Sequence, residues 1–103
     1  MMNDELVRGY FDNLVNRFFK ILPMREENEV TLITYMQSLQ AELIGCDKVV
    51  KFTNNDPSVL TLINILQFLI DNVDESPRVF KREVFRSISM CEKLRDSYPE
   101  GEV

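Results

Sequence analysis

The feature that most constrains the fold is an uncharged stretch in the middle of the chain. No charged residue occurs from Ser58 to Ile70, although 28% of the 103 residues are charged. The stretch is too short to span a bilayer, which needs about 20 apolar residues, and too long for an ordinary strand. Because it also lacks turn residues, it predicts a central helix that the other segments bury.

Composition limits the remaining possibilities to a single domain, residues 1–103. Apolar residues make up 45% of the chain, enough for a core without disulfides or metal. Three glycines and four prolines are too few for the turns of a barrel or sandwich. The start of the chain is acidic and lacks a signal-peptide pattern, and Cys46 and Cys91 have no disulfide framework around them. We therefore expect a cytoplasmic protein.

The first half of the chain predicts two helices. Apolar pairs recur every four residues over about 4–22, a wider arc than one neighbour buries, and Pro23 is expected to end this helix. A second helix is predicted over about 27–44, with glutamates at its start, where the helix dipole favours negative charge. Gly45 is the expected residue after its end, because glycine tolerates left-handed backbone.

The second half predicts two more helices, over about 57–72 and 77–98. Each begins with a capping residue followed by proline, Asp56–Pro57 and Ser76–Pro77, a pattern typical of a helix start. Residues 46–55, between the second and third helices, are compatible with either a short extended piece or a helical turn. Residues 99–103 are expected to form a tail. The expected fold is therefore all-α: a small four-helix bundle of mainly antiparallel neighbours, with a short irregular or extended segment between helices 2 and 3.

The residue types needed for catalysis or metal binding are poorly represented. The chain has no histidine, which excludes His-dependent nucleophilic catalysis and weakens any zinc site. No glycine-rich phosphate loop occurs, and the acidic clusters at 26–29 and 71–75 lack the spacing of a calcium loop. Cys91 is expected to fill the core. We predict no catalytic residue, cofactor or metal.

The helices carry more apolar surface than a simple bundle needs, which suggests a partner or a second copy. In the third helix a neutral strip is flanked by two large apolar residues, and the first helix presents aromatic side chains around a wide arc. The candidate partner or dimer face comprises Val15, Phe19, Leu60, Thr61, Asn64, Gln67 and Phe68. The alternative is that the four helices cover these residues themselves.

Basic residues recur at helical spacing along the fourth helix. The group comprises Arg78, Lys81, Arg82 and Arg86. Arginines one turn apart present a row of forked donors, which suits phosphates or an acidic partner. The net charge of −5 opposes nucleic-acid binding. The alternative is that the group is the solvated back of an amphipathic helix.

Function is expected to rest on surfaces rather than on chemistry. The chain is similar in kind to the short acidic helical inhibitors, immunity proteins, adaptors and accessory subunits found in bacteria, although no motif carries that similarity. We expect a non-enzymatic protein–protein interaction module that binds another protein or itself as a homodimer, and does not bind membrane. The alternative is a nucleic-acid-associated regulator that uses the basic face of the fourth helix.

Overall fold

The computed structural model describes residues 4–49 and 57–97, which form four helices and no strand. The helices are α1 (Asp4–Glu26), α2 (Leu32–Val49), α3 (Pro57–Asp71) and α4 (Pro77–Asp96). The predicted all-α bundle is therefore confirmed.

The first and last helices form an antiparallel pair. Near the start of α1, the Arg95 guanidinium donates a hydrogen bond to the Asp12 carboxylate over 2.8 Å. At the other end of α1, the Arg25 guanidinium lies 4.4 Å from the centroid of the Phe80 ring. α2 packs against α3 and, less extensively, against α1, while α3 also contacts α4. α1 thus has two neighbours, which accounts for its wide apolar arc.

One continuous apolar core joins all four helices. Its largest fully buried side chains are Phe11, Leu14, Phe18, Ile21, Met36, Leu39, Leu43, Val59, Leu62, Leu66, Leu69 and Phe80. They recur at intervals of three and four residues, so each helix turns one side toward the same centre. α3 is two-sided, with five buried residues among its fifteen and a large exposed surface opposite them.

The predicted end of the first helix is wrong, because α1 continues through Pro23 to Glu26. A proline inside a helix costs about 3 kcal/mol through its missing N–H and a steric clash. Contacts beyond it offset that cost: Met24 packs against the core and Arg25 binds the segment between α3 and α4. α1 then ends in a Schellman motif, in which Asn28 adopts a φ of 53°.

Both predicted ends of the second helix are also wrong. Residues 27–31 reverse the chain after α1, so α2 begins at Leu32 and its first turn contains no acidic residue. α2 also continues through Gly45 to Val49, so this glycine is helical and does not terminate the helix. A glycine inside a helix costs about 1 kcal/mol relative to alanine. The helical turns on either side of Gly45 tolerate this cost. Part of the segment left open, 46–49, is therefore helical.

The predictions for the other two helices agree with the structure to within two residues. Pro57 begins α3, and α4 begins with Ser76 as its N-cap, whose Oγ accepts a hydrogen bond from the Val79 N–H over 3.3 Å. The predicted cap at Asp56, the rest of the open segment (50–55) and the tail at 99–103 lie outside the described residues.

Candidate functional site

A groove runs along the surface between α3 and α4 and joins the two surfaces that the sequence predicted separately. Its volume is about 330 Å³. The lining residues are Thr61, Asn64, Ile65 and Phe68 from α3 and Arg82, Glu83 and Arg86 from α4. Both sets recur every three or four residues, so each forms a stripe along its own helix. We call this the α3–α4 groove.

The charged side of the groove is organised around Glu83. Arg82 Nε donates to Glu83 Oε2 and Arg86 Nη1 donates to Glu83 Oε1, each over 3.1 Å. The Glu83 side chain is only 13% exposed, whereas those of Arg82 and Arg86 are 67% and 58% exposed. One carboxylate therefore holds two guanidinium groups at the groove and leaves a local excess of one positive charge.

The apolar side of the groove comes from α3. Phe68 is 37% exposed, and Ile65 is buried beneath the surface. The exposed Asn64 and the half-buried Thr61 add neutral polar groups, and the Thr61 hydroxyl donates to the Pro57 carbonyl of the same helix over 3.0 Å. The groove thus offers an aromatic contact beside two arginines without an acidic residue on its α3 side.

Two other residues of the predicted face on α3 do not line the groove. Gln67 accepts a hydrogen bond from Gln40 of α2 and donates to Asp71, at 3.1 and 3.0 Å, so it helps to join α3 to α2. Leu60 is 54% exposed outside the groove. The predicted strip on α3 is therefore divided between the groove and the α2 side.

The residues predicted on α1 do not join this groove either. Val15 lies in the core, so it cannot belong to a partner face. Phe19 is exposed and makes an edge-to-face contact with Phe85 of α4, with 5.7 Å between ring centroids. The Lys81 ammonium lies 5.9 Å from the Phe85 ring, outside the groove.

Arg78, the remaining member of the predicted basic group, neither lines the groove nor belongs to the contact of Lys81 with Phe85. It is exposed in the first turn of α4 and does not line the groove. Of the four predicted basic residues, the structure therefore places only Arg82 and Arg86 in the groove.

A second concave site lies at one end of the bundle, where the α1–α2 turn meets the α3–α4 connector. Its volume is about 250 Å³, and its lining includes Arg25, Val30, Ile33 and Val73. Val30 is 94% exposed. Arg25 donates to the carbonyls of Val73, over 2.9 Å, and Glu75. No sequence signal marks Arg25 for this role, because its partners are backbone groups about fifty residues away.

A polar network joins α1 to α2. Arg17 forms two hydrogen bonds to the Glu42 carboxylate, at 2.8 and 3.0 Å, and the Tyr10 hydroxyl donates to the same carboxylate. The Tyr35 hydroxyl donates to the Arg17 carbonyl. The hydrogen bonds from Arg17 lower the pKa of Glu42, whereas burial raises the pKa of Tyr35. The hydrogen bonds of this network therefore connect α1 to α2 and are made between groups of the chain itself.

The described residues provide little for covalent or metal chemistry. Cys91 is buried, and burial raises the pKa of its thiol to about 12, which disfavours the reactive thiolate. Within residues 4–49 and 57–97, no group of acidic and cysteine side chains is arranged to hold a metal ion. In the same ranges, no helix has the length and apolar character needed to cross a membrane.

No protein-family model, curated protein or solved structure matches this chain.

Proposed function

We propose that this chain is a non-enzymatic protein–protein interaction module, and that the α3–α4 groove is its binding site. The observation that carries the proposal is the convergence of exposed Phe68 with Arg82 and Arg86 in one groove. Aromatic and arginine side chains supply much of the binding energy at protein interfaces. The partner is another protein or a second copy of the chain, and the module acts in the cytoplasm as an adaptor, inhibitor or accessory subunit.

The chemistry of the groove favours a partner segment with an apolar side chain and nearby carboxylates. The apolar side chain would pack against Phe68, removing both from water. The carboxylates would accept hydrogen bonds from guanidinium N–H groups that Glu83 does not engage. Because Arg82 and Arg86 are one helical turn apart, about 6 Å, two carboxylates at a similar spacing would satisfy both.

The α4 arginines also support a second candidate, the nucleic-acid-associated regulator, because Arg78, Arg82 and Arg86 are all exposed on one helix. Two observations favour the protein partner. The net charge of −5 opposes binding to a polyanion, and the groove beside the arginines contains an exposed aromatic side chain, Phe68. Retention of the chain on DNA is therefore measured in addition to protein binding.

The experiment compares proteins recovered from the native cell with the unaltered chain and with variants of the groove. The groove variants are Phe68→Glu and the double variant Arg82→Glu/Arg86→Glu, and the matched control is Arg78→Glu, an exposed arginine outside the groove. We expect a protein partner that the control retains and both groove variants lose. Circular dichroism checks that every variant is folded.

Recovery of the same proteins by all variants would overturn the proposal. Retention on DNA at low salt, weakening steeply as salt rises and abolished by reversing the charges of all three arginines, would replace it with the regulator.

A further inference from the structure

We infer that the α3–α4 groove receives the α1–α2 turn of a second copy of this chain, with Val30 as the apolar anchor. The inference rests on the proposed function, because it names the partner of the same groove. It is drawn from the chemistry of two surfaces that the structure places on one molecule: the groove, and the acidic turn at residues 27–31.

The turn has the chemistry that the groove favours in an occupant. Val30 is 94% exposed, far more than any other large apolar side chain in the described residues. Glu27 and Glu29 precede it in the same turn and are exposed, and neither has an ion-pair partner in the part of the chain that the structure describes. The turn therefore presents to solvent an apolar side chain that follows two carboxylates without ion-pair partners.

The dimensions of the two surfaces also agree. Glu27 and Glu29 are two residues apart, which places their Cα atoms no more than about 7 Å from each other. The rise between Arg82 and Arg86 is about 6 Å. A turn laid across the groove can thus set one carboxylate near each guanidinium while Val30 packs against Phe68.

The turn is also held in a defined shape before it binds. Asn28 is left-handed, and the N–H groups of Asn28 and Glu29 donate to the carbonyls of Arg25 and Met24, at 3.0 and 2.9 Å. A segment that is already ordered loses less conformational entropy on association.

Charge complementarity selects the second copy as occupant. The chain has a net charge of −5, so two copies repel each other at long range. The acidic turn and the arginine side of the groove are places where opposite charges on two copies can meet. A turn in a short groove buries less than the roughly 1,200 Å² typical of stable interfaces, so we expect weak, salt-sensitive association.

The test measures the mass of the purified chain by sedimentation or light scattering over increasing concentration. We expect a mass that rises with concentration, and at least a tenfold weaker association for Val30→Asp, for Glu27→Lys/Glu29→Lys and for Arg82→Glu/Arg86→Glu. The controls are Leu60→Glu, an exposed leucine outside both surfaces, and Glu92→Lys, an exposed carboxylate elsewhere; both should associate normally.

Mixing the two charge-reversed variants provides the decisive arm. Each variant alone carries like charges on its turn and groove, whereas the mixture pairs opposite charges in both directions. We expect association in the mixture to be at least tenfold stronger than in either variant alone, a result that misfolding cannot produce.

A monomeric mass for the unaltered chain at about 1 mM would overturn the inference. It would leave the proposed function standing if a different protein is still lost from the groove variants. Association that Leu60→Glu abolishes and Val30→Asp does not would also overturn it, since the contact would then lie on the outer face of α3.

Discussion

Glu42 and Glu83 both accept hydrogen bonds from arginines, and these hydrogen bonds serve different purposes. Glu42 of α2 binds Arg17 of α1, so its ion pair joins two helices. Glu83 binds Arg82 and Arg86 of its own helix, so its ion pairs do not connect one helix to another. The Arg17 side chain is 30% exposed, about half the exposure of Arg82 or Arg86.

The difference separates polar groups that hold the fold from polar groups that are open to a partner. At Glu42 of α2, the two guanidinium hydrogen bonds and the hydrogen bond from the Tyr10 hydroxyl all come from α1, a neighbouring helix. At Glu83, each arginine contributes one hydrogen bond and keeps most of its surface in water. Ion pairs in which the cation stays mostly in water contribute little to stability. We therefore assign the first cluster to the fold and the second to binding.

Neutralising Glu42 and Glu83 in turn should give the largest difference in stability between the two clusters. Glu42→Gln should lower the free energy of unfolding by about 1–2 kcal/mol, because it weakens charge-assisted hydrogen bonds between two helices. Glu83→Gln should change it by about 0.5 kcal/mol or less, because both of its arginines are mostly exposed and lie on the same helix as Glu83. Urea unfolding followed by circular dichroism measures both values, and equal losses would contradict the distinction.

Removing one hydroxyl from each region gives a smaller test. Tyr35→Phe should cost about 1 kcal/mol, because the Tyr35 hydroxyl donates to the Arg17 carbonyl of a neighbouring helix over 2.9 Å. Thr61→Val should cost about 0.5 kcal/mol or less, because the Thr61 hydroxyl bonds within its own helix at the surface. Thermal unfolding of the two variants checks the order, and a reversed order would show that the α1–α2 network is dispensable.

Acid should weaken the α1–α2 network selectively. Hydrogen bonds from Arg17 lower the pKa of Glu42 in the folded state, so its contribution is present above the ordinary pKa of a glutamate. That contribution is lost as the pH falls through the folded pKa. The difference in unfolding free energy between the unaltered chain and Glu42→Gln should therefore shrink from pH 7 toward pH 3. A constant difference would show that the charge of Glu42 is not what stabilises the fold.

The smallest effect on stability is expected for the arginines of the α3–α4 groove. Arg82→Ala/Arg86→Ala should change the free energy of unfolding by no more than about 0.5 kcal/mol, since both side chains are mostly in water. The same double variant should lose the partner in the recovery experiment. A large loss of stability would place these arginines with the Arg17 cluster, as parts of the fold.

Local chemistry explains which parts of the fold could be predicted. Pro57 and the Ser76–Pro77 pair specify helix starts by themselves, and α3 and α4 begin where they predict. The end of α1 could not be predicted, because the cost of Pro23 is offset by Arg25, whose partners lie in the α3–α4 connector. Contacts distant in sequence decided that boundary.

The same limit applies to the candidate site. Periodicity revealed the neutral strip with Phe68 on α3 and the arginines on α4 as separate surfaces. Their meeting in one groove depends on which side of α3 turns toward α4, which packing of the whole core determines. Val15 illustrates the converse error, since its position on α1 does not reveal that it is buried in the core.

Site-specific photo-crosslinking in the native cell tests the claim that the α3–α4 groove is a protein-binding site. The crosslinker replaces Asn64, an exposed residue of the groove, and the control places it at Ser38, exposed on α2. We predict a covalent adduct to a protein from position 64 that Arg82→Glu/Arg86→Glu abolishes, and no such adduct from position 38. The absence of an adduct at position 64, or an adduct that survives the charge reversal, would contradict the claim.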